Sequence, residues 1–235
     1  AEDPGAPLRP PKAIIVPHAG YRYSGAVAGA GFQRVMPLRG VVTRVVLLGP
    51  AHYVAVTGLA VPSVDEVGTP LGPLPIDAAT LTGLAEMPQV TVSDLAHAME
   101  HSVEVQLPFV METLGAVAVA PIVVGDASSA EVAEVLERVW GGTETLIVLS
   151  TDLSHFLPDS AARRMDGDTV MAIEHLDCSE IDGRHACGWR ALCGLLLVAR
   201  RRGLTCRTLE VRNSGEASGR RDSVVGYGAF ALTEP

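Results

Sequence analysis

The sequence predicts an α/β fold, a three-layer α/β/α sandwich around a mostly parallel (mixed) central sheet. Strand-length apolar runs alternate with helix-like segments along the chain, and the runs are apolar at nearly every position, as in strands covered on both faces. Three of these runs lead to a histidine: "AIIVPHAGY" (13–21), "VVLLGPAHY" (45–53) and "LIVLSTDLSHF" (146–156). Because ligands of such sheets bind beyond the carboxyl ends of the strands, the same pattern predicts where a site lies.

In the first third of the chain, "AIIV" (13–16) is a continuous apolar run of strand length. The small residues of 24–36 suit a closely packed helix, and 44–49 is the next apolar strand. A short strand is predicted at 58–63, where Pro62 ends it. Residues 77–86 read as a helix that Asp77 caps.

The middle of the chain continues the alternation. Residues 101–114 carry a helical apolar face, which Pro108 should kink or break. Residues 116–124 form a long apolar strand candidate. Residues 129–140 read as an amphipathic helix capped by Ser128 or Ser129.

The last third closes the sheet. Residues 145–150 form the apolar run with which the third histidine motif begins. Two helices are predicted near 160–175 and 186–201, and two closing strands at 205–212 and 223–232. We expect one domain over 1–235, with an irregular, Pro- and Gly-rich lead-in at 1–11.

Composition excludes several classes of protein. Of the 235 residues, 48% are apolar and 19% charged, which is enough for a large core and excludes general disorder. The formal net charge of −9 argues against nucleic acid as a partner. The longest apolar run (191–199) is too short to cross a bilayer, and no signal peptide is visible, so we expect no membrane contact and a cytoplasmic location.

The four cysteines lie at positions 178, 187, 193 and 206. Their spacing contains no CxxC and no zinc-finger pattern. We therefore expect buried free thiols, as is usual in a reducing cytoplasm.

The histidine motifs predict one shared site. His18, His52 and His155 each fall just past the carboxyl end of a predicted strand, so in a parallel sheet their imidazoles meet at one edge. Two imidazoles and a carboxylate suit a non-haem Fe(II) site, with zinc or copper as alternatives. The Gly/Ser turn at 212–223 contains Glu216, the candidate carboxylate, for which plain solvent exposure is the alternative.

Further polar residues accompany the motifs. On a helix, Glu100 and Glu104 share a face with His101, either as a solvated helix start or as carboxylates that orient the imidazole. Asp152 and His155, three apart, suggest an Asp–His pair suited to proton transfer. The pocket residues that we expect beside them are Tyr21, Glu100, Glu104, Ser150 and Ser154. The absence of a GxSxG elbow argues against a serine hydrolase.

Four motifs, "PHAGYRYSG", "LGPAHYV", "EHSVEVQLPFV" and "STDLSHF", in this order resemble the MEMO family, whose bacterial and archaeal members are called AmmeMemoRadiSam system protein B. The resemblance runs from about residue 12 to the end. The family's fold is similar to that of the class III extradiol-type non-haem iron dioxygenases. Family members usually begin with an extra segment before the first strand, so we expect a shortened or trimmed lead-in here.

The resemblance also implies roles for single residues. His18 and His52 match the two metal-ligand histidines, and His155 matches the acid/base histidine of the dioxygenases, accompanied by Asp152. His101, with Glu100, matches the "EHS" of the pocket, so we place His101 with the catalytic residues. The third metal ligand is a cysteine in the animal proteins and a glutamate in the dioxygenases. Glu216 stands at the acidic position after "SG", and no cysteine falls in that turn, so we expect a carboxylate rather than a thiol.

Three functions remain open from the sequence. The first is a metal-dependent redox enzyme of the dioxygenase type, holding a divalent metal, with Fe(II) preferred over copper or zinc. The second is a non-catalytic module that binds a peptide, a small molecule or a protein in the same crevice. The third is a zinc-type hydrolase. The resemblance further implies the other AmmeMemoRadiSam proteins as partners.

Overall fold

A nine-stranded sheet forms the centre of the protein. The computed structural model describes residues 9–235. Its strands are β1 (Ala13–Val16), β2 (Arg44–Pro50), β3 (Leu59–Val61), β4 (Glu66–Thr69), β5 (Gly72–Pro75), β6 (Val90–Val92), β7 (Ala118–Val124), β8 (Thr145–Ser150), β9 (His155–Leu157), β10 (Thr205–Asn213) and β11 (Val224–Thr233). Their order in the central sheet is β10-β11-β1-β8-β2-β7-β3-β6, and β9 pairs with β11.

Nine α-helices are found in residues 9–235. They are α1 (Tyr21–Gln33), α2 (Ala78–Ala85), α3 (Asp94–Ala98), α4 (His101–Glu104), α5 (Leu107–Leu114), α6 (Ser129–Val139), α7 (Asp159–Glu174), α8 (Trp189–Arg202) and α9 (Gly215–Ser218), with a 3₁₀ turn at Met36–Leu38. None of these helices is long and apolar enough to cross a membrane.

The sheet is mixed, as predicted, and parallel at its centre. The four neighbouring strands β1, β8, β2 and β7 pair in parallel, whereas β11 pairs antiparallel with β1 and β10. All residues of β1 and β8 are buried, because helices cover both faces of the sheet. The carboxyl ends of β1, β8 and β2 therefore lie side by side at one edge.

Strand β11 shows how two helical layers arise. Tyr227 and Ala229 pack with Val27 of α1. Successive side chains of a strand point to opposite faces, so the position of Gly226 faces the other way. A Cβ atom at Gly226 would lie 2.0 Å from Oδ2 of Asp166 in α7. Helices thus cover both faces, which confirms the predicted α/β/α sandwich.

Most predicted elements are confirmed, with small shifts of their ends. Asp77 caps α2 through a bond from the Thr80 N–H, and Ser128 caps α6 in a reciprocal capping box with Glu131. The helix predicted at 101–114 is broken into α4 and α5, with Pro108 in the first turn of α5, where its missing N–H costs nothing. The β4–β5 hairpin and the short β6, β9, α3 and α9 were not predicted.

The lead-in is only partly described. Residues 9–12 contain no helix or strand, as predicted, and residues 1–8 of the predicted lead-in lie outside the described residues. The single-domain organisation and the cytoplasmic location remain predictions.

The expectation of four free thiols is wrong for two of them. Cys178 and Cys193 form a disulfide, with Cα atoms 5.5 Å apart, and Cys187 and Cys206 are free. The disulfide links the segment after α7 to α8, so it closes a loop that contains Cys187. Sequence spacing could not reveal it, because the two sulfur atoms meet only once α8 has packed.

Candidate metal centre

Three histidine rings meet at the edge where β1, β8 and β2 end. His18 lies two residues beyond β1 and His52 two residues beyond β2. The ring centres of His18 and His52 are 5.2 Å apart, and His101 lies 5.5 Å from His18 and 5.0 Å from His52. The parallel pairing of the strands therefore brings together His18 and His52, two of the three histidines that the sequence placed at one edge, and the third ring beside them is His101 rather than His155.

The third donor beside His18 and His52 is Cys187. Its Sγ lies 3.4 Å from Nε2 of His18, and the donor atoms of all three residues lie within 4.8 Å of one another. Two ligands of one tetrahedral metal ion, a nitrogen and a thiolate sulfur, lie about 3.6 Å apart. The spacing and the donor types thus fit a single transition-metal ion.

Glu216, the predicted third ligand, lies elsewhere. Its carboxylate in α9 faces Arg163 at 3.6 Å and Arg212 at 4.0 Å. It takes part in neither group of candidate metal ligands found among residues 9–235. The prediction is corrected: the turn between the last two strands directs this carboxylate to arginines, and the thiol that we expected to be absent comes from the segment before α8.

Backbone contacts hold Cys187 against the end of β8. The N–H of Cys187 donates to the Asp152 carbonyl at 3.2 Å, and the Asp152 N–H donates to Sγ at 3.3 Å. The next residue, Gly188, donates its N–H to Oγ1 of Thr151. A Cβ atom at Gly188 would lie 2.9 Å from that oxygen, so only glycine permits the close approach that places the thiol at the site.

His18 is oriented by a buried hydrogen-bond chain. Its Nδ1 lies 3.0 Å from Oγ of Ser150, which also accepts a bond of 2.9 Å from Nε2 of Gln106. Ser150 can therefore accept the Nδ1 proton, which leaves Nε2 with a free lone pair directed at Cys187. Burial, followed by repulsion from His52, lowers the pKa of His18 to about 3. The ring is neutral at pH 7, the form that a metal requires.

His52 is oriented by Glu100. The buried carboxylate accepts bonds from the His52 N–H at 2.6 Å, from its Nδ1 at 2.8 Å and from the Ser102 N–H at 3.1 Å. The hydrogen bonds of His52 to Cys187 and then to Glu100 raise its pKa to about 10. Although burial opposes it, the bonds to His52 and Ser102 hold the pKa of Glu100 at about 2. The pocket thus stabilises a positive charge at His52, as a proton or as a metal ion.

His101 stands beside the ligands and is not one of the three. Its ring stacks on His52 at 23°, and its Nδ1 lies 3.8 Å from Oε1 of Glu100. This Nδ1 is buried and has no hydrogen-bond partner among the described residues. Burial, then the charge of His52, lowers the pKa of His101, so at neutral pH the ring can accept a proton.

Asp152 and His155 do not form the predicted pair. Oδ1 of Asp152 accepts bonds from the N–H groups of His18 and Ala19, at 2.7 and 3.3 Å, and so fixes the turn that carries His18. Burial raises the pKa of Asp152 to about 6. The Asp152 carboxylate thus bonds to backbone N–H groups of the His18 turn, which corrects its predicted role as the partner of His155.

His155 begins β9 and pairs with Val225 of β11. The next residue, Phe156, has a φ of 59°, a conformation that costs a non-glycine residue about 1–2 kcal/mol. The β9–β11 pairing therefore holds a strained turn that fixes His155. Burial, ahead of repulsion from His52, lowers the pKa of His155, so it is a neutral base at pH 7.

The remaining predicted pocket residues divide between the site and its surroundings. Ser150 and Glu100 lie behind the two ligand histidines, as described above. The Tyr21 hydroxyl donates to the Val105 carbonyl at 3.0 Å, and Glu104 is exposed nearby on α4. The Ser154 N–H donates to Asp166 at 3.0 Å, so Ser154 belongs to the contact with α7 rather than to the pocket.

Two residues of the site escaped the sequence analysis. Gln106 stands within the "EHSVEVQLPFV" motif, but nothing in the spacing shows that it reaches Ser150 across the sheet edge. Cys187 carried a usable signal: it precedes a glycine at the predicted start of a helix, a place where thiols are often functional. The family resemblance pointed instead to Glu216, in the turn at 212–223 between the last two predicted strands.

The comparisons agree with the fold and with the family resemblance. A family model described as "Memo-like protein" matches residues 3–231. MEMO1 family proteins of Aquifex aeolicus, Methanosarcina barkeri and Thermotoga maritima are 33%, 34% and 33% identical to this chain, over 92–94% of it and 82–85% of their own lengths. An uncharacterized Escherichia coli K12 protein, JW3007, has a similar fold, with a TM-score of 0.62 over 95% of this chain and all of its own, at 14% identity. The chain belongs to the MEMO family.

Proposed function

We propose that the protein is a metal-dependent redox enzyme whose single metal ion is held by His18, His52 and Cys187. The observation that carries this proposal is the Sγ–Nε2 distance of 3.4 Å between Cys187 and His18. In both ligand histidines the other ring nitrogen, Nδ1, bonds to a residue outside the group: Ser150 for His18 and Glu100 for His52. Ligand histidines typically have their second nitrogen fixed in this way.

The donor set bears on the metal. The sequence favoured Fe(II) because it expected a carboxylate as the third ligand. A thiolate is a softer donor than a carboxylate, and soft donors favour copper and zinc. These two metals are therefore as good candidates as iron. When bound, the metal would supply Lewis acidity and, for iron or copper, electron transfer.

The surrounding side chains have separate tasks in this proposal. Glu100 and the Ser150–Gln106 pair orient the two ligand rings. Asp152 fixes the backbone of the His18 turn. His101 and His155 are held neutral at pH 7 by burial, and each can accept a proton from a bound substrate.

A second function, binding of a peptide or a protein without catalysis, is favoured by one observation. Four of the eight Tyr and Phe residues are exposed, and all four lie within five residues of a site histidine: Tyr21, Tyr23, Tyr53 and Phe156. Exposed aromatic residues are enriched at binding surfaces. Other proteins of the AmmeMemoRadiSam system are candidate partners for such a surface. A zinc hydrolase ranks third, because nothing around the centre marks a scissile substrate.

Metal content after anaerobic loading with Fe(II), Cu(I) or Zn(II) tests the proposal. We expect one metal ion per chain in the wild type and in Glu216→Gln, and loss of it in His52→Ala and Cys187→Ala. Oxygen uptake by the loaded protein with a reductant then separates a redox enzyme from a zinc hydrolase. Absence of stoichiometric metal would contradict the proposal, and partner capture retained in His18→Ala would favour the binding module.

A further inference from the structure

A cleft of about 610 Å³ lies beside the metal centre on the side of Cys187. It is formed by the segment after β2, the end of β7 and the start of α8, and Cys187 is part of its wall. Such clefts beyond the carboxyl ends of parallel strands are where α/β proteins bind ligands. Its contact with Cys187 makes it the natural place for a ligand that reaches the centre.

The cleft contains an ion pair between Arg190 and Asp126. Nη2 of Arg190 lies 2.7 Å from Oδ1 of Asp126, and its Nη1 donates to the Ala127 carbonyl at 3.0 Å. The guanidinium also lies 4.6 Å from the centre of the Trp189 ring. Three contacts therefore fix Arg190, although its side chain is still 35% exposed.

Both members of the pair keep unused bonding capacity. A guanidinium has five N–H groups, of which two are engaged by the described residues. Asp126 has no side-chain partner other than Arg190 in residues 9–235, and its side chain is 78% exposed. A ligand can therefore bond to each charge without breaking the pair.

The floor beneath the pair is rigid. The Asp126 N–H donates to the Val56 carbonyl at 2.7 Å, and a Cβ atom at Gly125 would lie 2.1 Å from that same oxygen. The rest of the wall is mixed: it includes Val54, the nearly buried Val56 and Val124, and the thiol of Cys187. The cleft thus combines one positive and one negative group with a wall to which Cys187 belongs.

We propose that this cleft binds the substrate of the metal centre, and that this substrate is a zwitterion of the α-amino-acid type. Its carboxylate bonds to Arg190, its ammonium group bonds to Asp126, and its side chain lies in the remainder of the cleft, of which Cys187 forms part of the wall. A simple anion bound to Arg190 would lie beside the Asp126 carboxylate, and a simple cation bound to Asp126 would lie beside the Arg190 guanidinium, so neither matches the pair. This inference rests on the proposed function, because it takes the metal centre as the place of reaction.

Binding of L-leucine to the metal-free protein tests the cleft without any need for turnover. Trp189 is the reporter in a Trp140→Phe background, which leaves it as the only tryptophan. We expect saturable binding of L-leucine, L-methionine or L-phenylalanine. We expect at least about tenfold weaker binding of 4-methylpentanoate, which lacks the ammonium group, and of 3-methylbutylamine, which lacks the carboxylate.

Variants separate the ion pair from general surface charge. Asp126→Asn and Arg190→Gln should each weaken amino-acid binding about tenfold or more. The matched control is Asp222→Asn, which alters an exposed Arg–Asp pair with a similar 2.8 Å contact and should change nothing. Bound amino acid should also slow alkylation of Cys187 by iodoacetamide and leave that of Cys206 unchanged.

The outcomes are distinguishable from those of the metal test. Metal binding without amino-acid binding, or amino-acid binding that is equal in Asp126→Asn, overturns this inference and leaves the proposed function standing. Equal binding of 4-methylpentanoate and leucine also overturns it. Amino-acid binding that protects Cys187, in a protein that binds no metal, supports the cleft and removes the proposed redox function.

Discussion

Sγ of Cys187 lies 3.4 Å from Nε2 of His18, although 169 positions separate the two residues in the chain. The contact joins the turn after the first strand to the segment before α8. In the candidate metal centre it puts a thiol in place of the carboxylate that the sequence suggested, so the third donor is soft instead of hard.

Glu100→Gln should weaken metal binding by about 10- to 100-fold, because the amide cannot accept all three bonds from His52 and Ser102. Competition with a chelator of known affinity measures the change. Glu104→Gln is the matched control, since Glu104 is exposed on α4, the short helix that Glu100 caps. Equal affinities of the two variants would show that Glu100 does not orient His52.

Metal binding should release at least one proton at neutral pH. The pKa of His52 is raised to about 10, so the metal-free site carries an imidazolium, and the metal must displace one of its protons to bind the ring. Affinity should therefore rise at least about tenfold per pH unit between pH 6 and 9. His18, with its pKa lowered to about 3, adds nothing in this range. Calorimetry in buffers of different ionisation enthalpy counts the protons, and a pH-independent affinity would contradict the expectation.

The native protein should show one reactive thiol. Cys187 is partly exposed, whereas burial raises the pKa of Cys206 to about 12 and should make it resist alkylation at pH 8. Cys178 and Cys193 are joined in the disulfide and have no thiol to be labelled. Mass spectrometry after labelling checks each site. Four labelled cysteines without prior reduction would exclude the disulfide.

The same disulfide should contribute to stability. It closes a loop across a sequence separation of 15, for which chain entropy suggests about 3 kcal/mol. Cys193→Ala should lower the free energy of unfolding by up to about that amount, and Cys206→Ala, which breaks no link, by less. Denaturant titration compares them.

Gly194→Ala should destabilise the fold by about 1–3 kcal/mol, because the new Cβ would lie 2.4 Å from Cγ1 of Val132, where α8 packs on α6. Gly167→Ala is the control: Gly167 lies in α7 with no atom within 4 Å of the added methyl group. There the higher helix propensity of alanine should stabilise the protein by up to about 1 kcal/mol. Equal effects of the two variants would show that helix packing does not limit residue 194.

The strands and the position of the site were predictable, because strong local patterns specify them. The run Ala13–Val16 became β1 without change, and Thr145–Ser150 became β8. Buried parallel strands need continuous apolar sequences, and parallel order places the following residues at one edge. The short β4 and β5 were missed because four-residue strands with exposed positions leave no such run.

The sequence by itself determined the layered α/β fold and the positions of two of the three candidate metal donors, His18 and His52, since each follows its own strand directly. Only the tertiary structure decided the third donor, because Cys187 reaches the centre through backbone bonds to Asp152 and the close approach of Gly188. The tertiary structure likewise decided that the Asp152 carboxylate bonds to the backbone of the His18 turn and that the Glu216 carboxylate pairs with arginines. Local patterns fix which segments form strands, whereas the partners of polar side chains depend on which distant segments packing brings together.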